Sequence, residues 1–179
     1  MSVGKTVLVA CAVGTAVVAA TMLGWSVPRL VALGGGQPFD VRFTGYGHAE
    51  AVAFLRALDD AGRVFYDTVQ LRLDTAFPIL YFVALSWLLA AILGWAGVGA
   101  PARVLVAIVV VAVPTLLDFA ENAAIRDMLR RAPDAVDADL VARASWYSTR
   151  KWSMALVGLT IAGIGVIVAL LRRRARTTP

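Results

Sequence analysis

The sequence predicts an all-α fold: a four-helix transmembrane bundle with a partly helical extracytoplasmic segment between the first and second helices. Two observations carry this reading. Of 179 residues, 60% are hydrophobic and the mean hydropathy is +0.77, more apolar surface than a soluble domain of this size can hide. Four runs also reach the roughly 20 apolar residues that cross a bilayer as a helix; they lie at about 6–27, 75–97, 103–125 and 152–171. With no internal repeat and no low-complexity linker, residues 1–179 read as a single membrane domain.

The first run follows Lys5 and contains "LVAC", Leu8–Cys11. Too few apolar residues precede Cys11, and too many follow it, for a signal core or a lipoprotein cleavage box, so a retained helix is expected. Ala16, Ala20 and Gly24 recur at four-residue spacing along it, and Gly158 and Ala162 do so in the fourth run. Such small-residue seams allow close helix approach and suit association with a second copy or a membrane partner.

Residues 28–74 form the predicted outer segment. "GGGQPFDVRFTGYG" (34–47) reads as a glycine-rich loop. Next, Val52, Leu55, Leu58 and Ala61 recur at helical spacing, with Gly62 placed as the stop, which predicts a short amphipathic helix. Beyond it, Arg63, Asp67, Gln70 and Asp74 fall at i, i+4, i+7 and i+11. That spacing predicts one polar face on a helix running without interruption into the second span, as far as Tyr81. Pro78 cannot donate to the carbonyl of Asp74, so a kink is expected there.

The second and fourth runs carry no charge, whereas the third ends in "LLDFAEN". Thr115, Asp118, Glu121 and Asn122 share one face of that helix. Asp118 lies seven residues before Ile125, roughly 10 Å from the outer end. A carboxylate at that depth costs about 2.5–3.5 kcal/mol against lipid, so it must face the interior.

The antiparallel arrangement brings the polar groups to one end of the bundle. The second helix enters there at Asp74, the third leaves past Glu121, and the fourth enters after Tyr147, Ser148, Arg150 and Lys151. The outer loop is placed at 126–151. Asp118, Glu121 and Asp74 are the candidate catalytic acids; Asn122, Lys151, Tyr81, Arg63 and Tyr147 are candidate substrate-binding groups. Lys151 is expected to pair with Asp118 or Glu121. With three carboxylates in so little water, at least one is expected to titrate above its solution value.

The net charge is +5, yet the basic residues form no nucleic-acid stripe. Four of them close the chain as "RRRAR" after the last run, which places both termini in the cytoplasm facing anionic lipid. The loop 126–151 runs against that orientation, because it holds Arg126, Arg130, Arg131, Arg143, Arg150 and Lys151. One cysteine and one histidine, His48, leave neither a disulfide nor a multi-histidine metal site, and no cofactor is expected. Of the tryptophans, Trp25, Trp95, Trp146 and Trp152 lie at span ends as interface anchors, and Trp87 is the mid-span exception.

The pieces "LDTAFPILY", "LLDFAEN" and "TRKW" together resemble a group of small four-span bacterial integral membrane proteins to which no activity is attached. The resemblance covers most of the chain from Gly45 onward. It implies the four-span architecture and marks Asp74, Asp118, Glu121, Asn122 and Lys151 as pattern positions without roles.

No nucleophile motif is present, neither GxSxG nor HExxH. The leading expectation is therefore a polar pocket that binds or processes an amphiphilic, lipid- or isoprenoid-like substrate beside membrane lipids. The alternative is a non-catalytic subunit or scaffold whose acids are internal glue. An ion-coupled transporter ranks third, because transporters place the coupling acid near the midplane between repeated halves.

Overall fold

The computed structural model describes residues 3–177. Its principal helices are α1 (Val3–Gly34), α2 (His48–Ala57), α3 (Asp60–Trp95), α4 (Ala100–Arg130) and α5 (Ala138–Thr177), and the described residues contain no strand. α1, α3, α4 and α5 are each long and apolar enough to cross a membrane, so this is an all-α, multi-pass membrane protein. The helices run to 31 residues or more, well beyond the roughly 20 that a bilayer core requires. The surplus of α3, α4 and α5 lies at one end, where α2 and the loop before it cover the bundle.

α3 is the central helix: it packs against α1, α4 and α5, while α5 packs mainly on α4. α1 and α5 flank the α3–α4 pair and make no extensive contact with each other. A cleft is left between them.

Apolar residues behave differently at the two levels. At the capped end, Leu30, Phe39, Phe54, Leu55, Tyr66, Ile125, Met128 and Val141 form a closed core with no surface in lipid or water. Lower in the bundle the packed core is small, built on Tyr81, Leu89, Leu93, Ala107 and Val111. There Trp87, Leu105, Ile164 and Ile167 point outward. Lipid accepts those side chains, so hydrophobic burial does not drive packing inside the bilayer as it does in the cap.

Three expectations are corrected. The loop placed at 126–151 shrinks to 131–137, holding only the short turn Pro133–Ala135. α5 begins early because Leu140, Val141, Ala144, Ser148 and Lys151 all fall on its buried face, an apolar stripe that needs cover outside the membrane.

α2 stops at Leu58, not at Gly62. Asp59 accepts a hydrogen bond from the Gly62 amide at 2.6 Å and starts α3 as its N-cap. Gly62 sits inside that first turn, where a Cβ would lie 3.1 Å from both Asp59 and Leu58.

The stripe Arg63–Asp67–Gln70–Asp74 does not share one face. The helix is continuous, but Tyr66–Gln70 is a π-helical turn, and the extra residue rotates everything before it. α1 has its own π turn at Met22–Ser26, directly across from this one, and carries Pro28 without ending.

The Ala16–Ala20–Gly24 seam is turned out of the bundle. Within the bundle, α1 approaches α3 closely at Gly14, where a Cβ would lie 3.2 Å from Leu80.

Candidate functional site

Asp74, Asp118, Glu121, Asn122, Thr115 and Lys151 are all buried together beneath the cap. α4 supplies Asp118, Glu121 and Asn122 from one face, α3 supplies Asp74 and Tyr81, and α5 supplies Lys151.

Lys151 bridges both α4 acids. Its Nζ lies 2.8 Å from Asp118 Oδ1 and 2.6 Å from Glu121 Oε2. A third oxygen, the main-chain carbonyl of Asp40, accepts from it at 3.2 Å. The two carboxylates are ion-paired with the ammonium and the carbonyl accepts its hydrogen bond, so its charge is engaged on α4. The other oxygen of Asp118 accepts from the Tyr81 hydroxyl at 2.7 Å.

Asn122 has a different task. Pro78 has no N–H for the Asp74 carbonyl, and Asn122 Nδ2 donates to that carbonyl at 3.0 Å. α3 therefore stays helical through Pro78, with a side chain of α4 replacing the missing backbone bond.

Sequence reasoning missed Asp40. It lies in the glycine-rich segment, within the short turn Phe39–Val41, and is only 2% exposed. The Tyr66 hydroxyl donates to Asp40 Oδ1 at 2.6 Å and Gln70 Nε2 donates to Oδ2 at 2.5 Å. Ser26 in turn donates to Gln70 Oε1 at 2.6 Å, so the two facing π turns meet in this network. An Asp among glycines usually marks a surface turn, and the local sequence carries no sign that this one is buried. Tyr46 follows in the same loop. Burial, reinforced by the nearby Glu121, holds its phenol well above the ordinary tyrosine range.

Two predicted site residues are not brought here. Arg63 donates to the carbonyls of Leu55, Leu129 and Arg131, closing the ends of α2 and α4. The π turn has rotated it away from Asp74, and Asp67 pairs with Arg126 at 2.8 Å rather than with Arg63. Tyr147 packs against the apolar cap core beside Trp146. On α5 it precedes Lys151 by four residues, yet its ring turns toward the cap.

Below the cluster, the cleft between α1 and α5 widens into a cavity of about 550 Å³. Its polar head is formed by Asp40, Asp74, Tyr81, Asp118 and Lys151. Its walls are apolar and descend along α3 to Ile92 and along α5 to Ala162. From Asp74 to Ile92 the rise is about 27 Å, most of a hydrocarbon core. Glu121, Asn122, Arg63 and Tyr147 do not line it. Trp152 stands at the head, and Trp87 projects away from the bundle with 55% of its surface exposed.

At the head, Asp74 is 4% exposed and its Oδ2 has no hydrogen-bond partner among the described residues. It is the one acid that both lines the cavity and keeps an uncommitted oxygen. No protein-family model, curated protein or solved structure matches this chain.

Proposed function

We propose that the protein binds or processes an amphiphile drawn sideways from the surrounding leaflet, with the molecule's polar head at the acids and its chain in the cleft. The observation that supports this reading is the cavity itself. Its volume of about 550 Å³ falls within the roughly 300–1,000 Å³ of small-molecule sites. It is polar at one end only, and neither α1 nor α5 seals its side. Lipid- or isoprenoid-like molecules have that shape. If chemistry follows binding, Asp74 is the group placed to take or give a proton, and Asp118 is tied to Tyr81 and Lys151 beside it.

The "RRRAR" tail supports an orientation with both termini in the cytoplasm, which places the cap and the acids in the outer leaflet. The resemblance to small bacterial four-span proteins fits this architecture.

A second reading has its own observation. Lys151 joins α5 to two acids of α4, and buried bridges of that kind can specify which helices meet. On that reading the protein is a scaffold and the cavity is incidental.

The two readings part in native mass spectrometry of the full chain released from nanodiscs. One retained amphiphile per chain is expected. Ala155→Trp, which fills the cavity wall, should abolish retention and leave thermal unfolding unchanged. Release of lipid-free protein from every nanodisc composition would overturn the amphiphile reading.

A further inference from the structure

The charge of the cavity head deepens this reading and rests on it. Four carboxylates, those of Asp40, Asp74, Asp118 and Glu121, are buried around one buried ammonium, Lys151. Lys151 is committed to Asp118, Glu121 and the Asp40 carbonyl. Asp40 takes donors from the neutral side chains of Tyr66 and Gln70. The nearest cap cation, Arg42, is held over the rings of Phe39, Tyr46 and Phe54 and does not line the cavity. Asp74 thus lines the cavity with Oδ2 unpartnered and, among the described residues, is in no ion pair with a cation. Burying a carboxylate without a countercharge is costly. Aromatic residues line the wall beside it: Phe77 and Tyr81 stand edge to face at 5.2 Å, and the Trp152 ring already lies 5.8 Å from the Lys151 ammonium. Ring faces of this kind attract cations and do nothing for anions.

We propose that the cavity takes an amphiphile with a cationic head, a long-chain amine or ammonium, its nitrogen at the Asp74 carboxylate and its chain along the apolar wall toward Ile92 and Ala162. An anionic head would meet four acids with the lysine already engaged. A neutral head would form no ion pair with Asp74.

The test uses the full chain in zwitterionic nanodiscs and three probes of equal length: hexadecylamine, hexadecanol and hexadecanoic acid. Retention is read by native mass spectrometry against empty nanodiscs. Hexadecylamine should be retained about tenfold or more over hexadecanol, as expected for a hydrogen bond to a charged group, and the acid least of all. Asp74→Asn should bring amine and alcohol to parity while keeping the alcohol bound, which also shows that the variant folds. A readout independent of any variant is the infrared difference spectrum of the wild type, in which the amine should perturb a carboxylate band that the alcohol leaves alone.

Equal retention of amine and alcohol by the wild type would overturn the cationic head and leave the amphiphile reading standing. The same holds for a preference that survives Asp74→Asn, or for an unperturbed carboxylate band. Retention of no probe would overturn both.

Discussion

Pro78 and Asn122 act as one unit although they lie on different helices. The proline frees the Asp74 carbonyl, and the amide of Asn122 occupies it at 3.0 Å. Asn122→Ala should therefore cost about 1–3 kcal/mol, the penalty of an unsatisfied buried acceptor. On a Pro78→Ala background, where the backbone N–H returns, the same change should cost clearly less. Unfolding of reconstituted protein measures both, and equal costs on the two backgrounds would show that the bond does not stabilise α3 at Pro78. Lys151 gives a second prediction. Because it bridges two acids, Lys151→Met alone should cost about 3–5 kcal/mol, as for other broken buried pairs. Asp118→Asn should cost less, since the lysine keeps Glu121. Combining Lys151→Met with both Asp118→Asn and Glu121→Gln should recover part of the loss. A triple variant no more stable than Lys151→Met would count against the bridge as a structural tie.

Among the elements, the segment between α1 and α2 is the one that makes a site out of a bundle. It carries Asp40 down onto α3 and is pinned to α5 by two hydroxyls. Ser145 accepts from the Tyr46 amide at 2.8 Å, and Ser148 donates to the Arg42 carbonyl at 3.0 Å. Gly45 lets the chain turn between these pins. Its φ is +82°, and a Cβ there would lie 2.7 Å from the Ser145 hydroxyl. Gly45→Ala should thus strain the backbone by roughly 1–2 kcal/mol and loosen the pins as well. Amide exchange in nanodiscs should be slow across 39–58 in the wild type and faster around 39–47 in the variant, with the lower parts of α3 and α4 unchanged. Uniformly fast exchange in the wild type would show that the cap is not ordered as described.

For the whole molecule, the four long apolar helices alternate in direction, so one end carries the cap and the acids and the other carries the start of α1 and the end of α5. The basic tail argues that the terminal end is cytoplasmic, against which the basic residues near 126–151 must be weighed. Three of those six basic residues are held in ion pairs: Arg126 with Asp67, Arg131 with Asp127, and Lys151 with Asp118 and Glu121. In a Cys11→Ala background, Thr177→Cys should stay unlabelled by an impermeant thiol reagent in intact cells and become labelled after lysis. Labelling in intact cells would invert the orientation and move the cap to the cytoplasmic leaflet.

The four spans, the inward face of Thr115, Asp118, Glu121 and Asn122, and the reach of Lys151 to Asp118 and Glu121 were all legible in the sequence. The reason is general: lipid penalises a misplaced charge so strongly that one helix's pattern dictates which face turns inward. The extension of α5 back to Ala138 was also written in its apolar spacing, but a membrane-length criterion passes over helix that continues outside the bilayer. Other features were settled only by the fold. A π turn leaves no mark in a periodicity, so Arg63 and Gln70 look alike in sequence and end on different faces. The burial of Asp40 depends on Tyr66 and Gln70, which lie 26 and 30 residues away along the chain. The cleft depends on α1 and α5 failing to meet, which is a property of how three helices share α3 and not of any one helix. Residue patterns determine what each helix must turn toward or away from; the hydrogen-bond partners and the empty space arise only when the helices are set against one another.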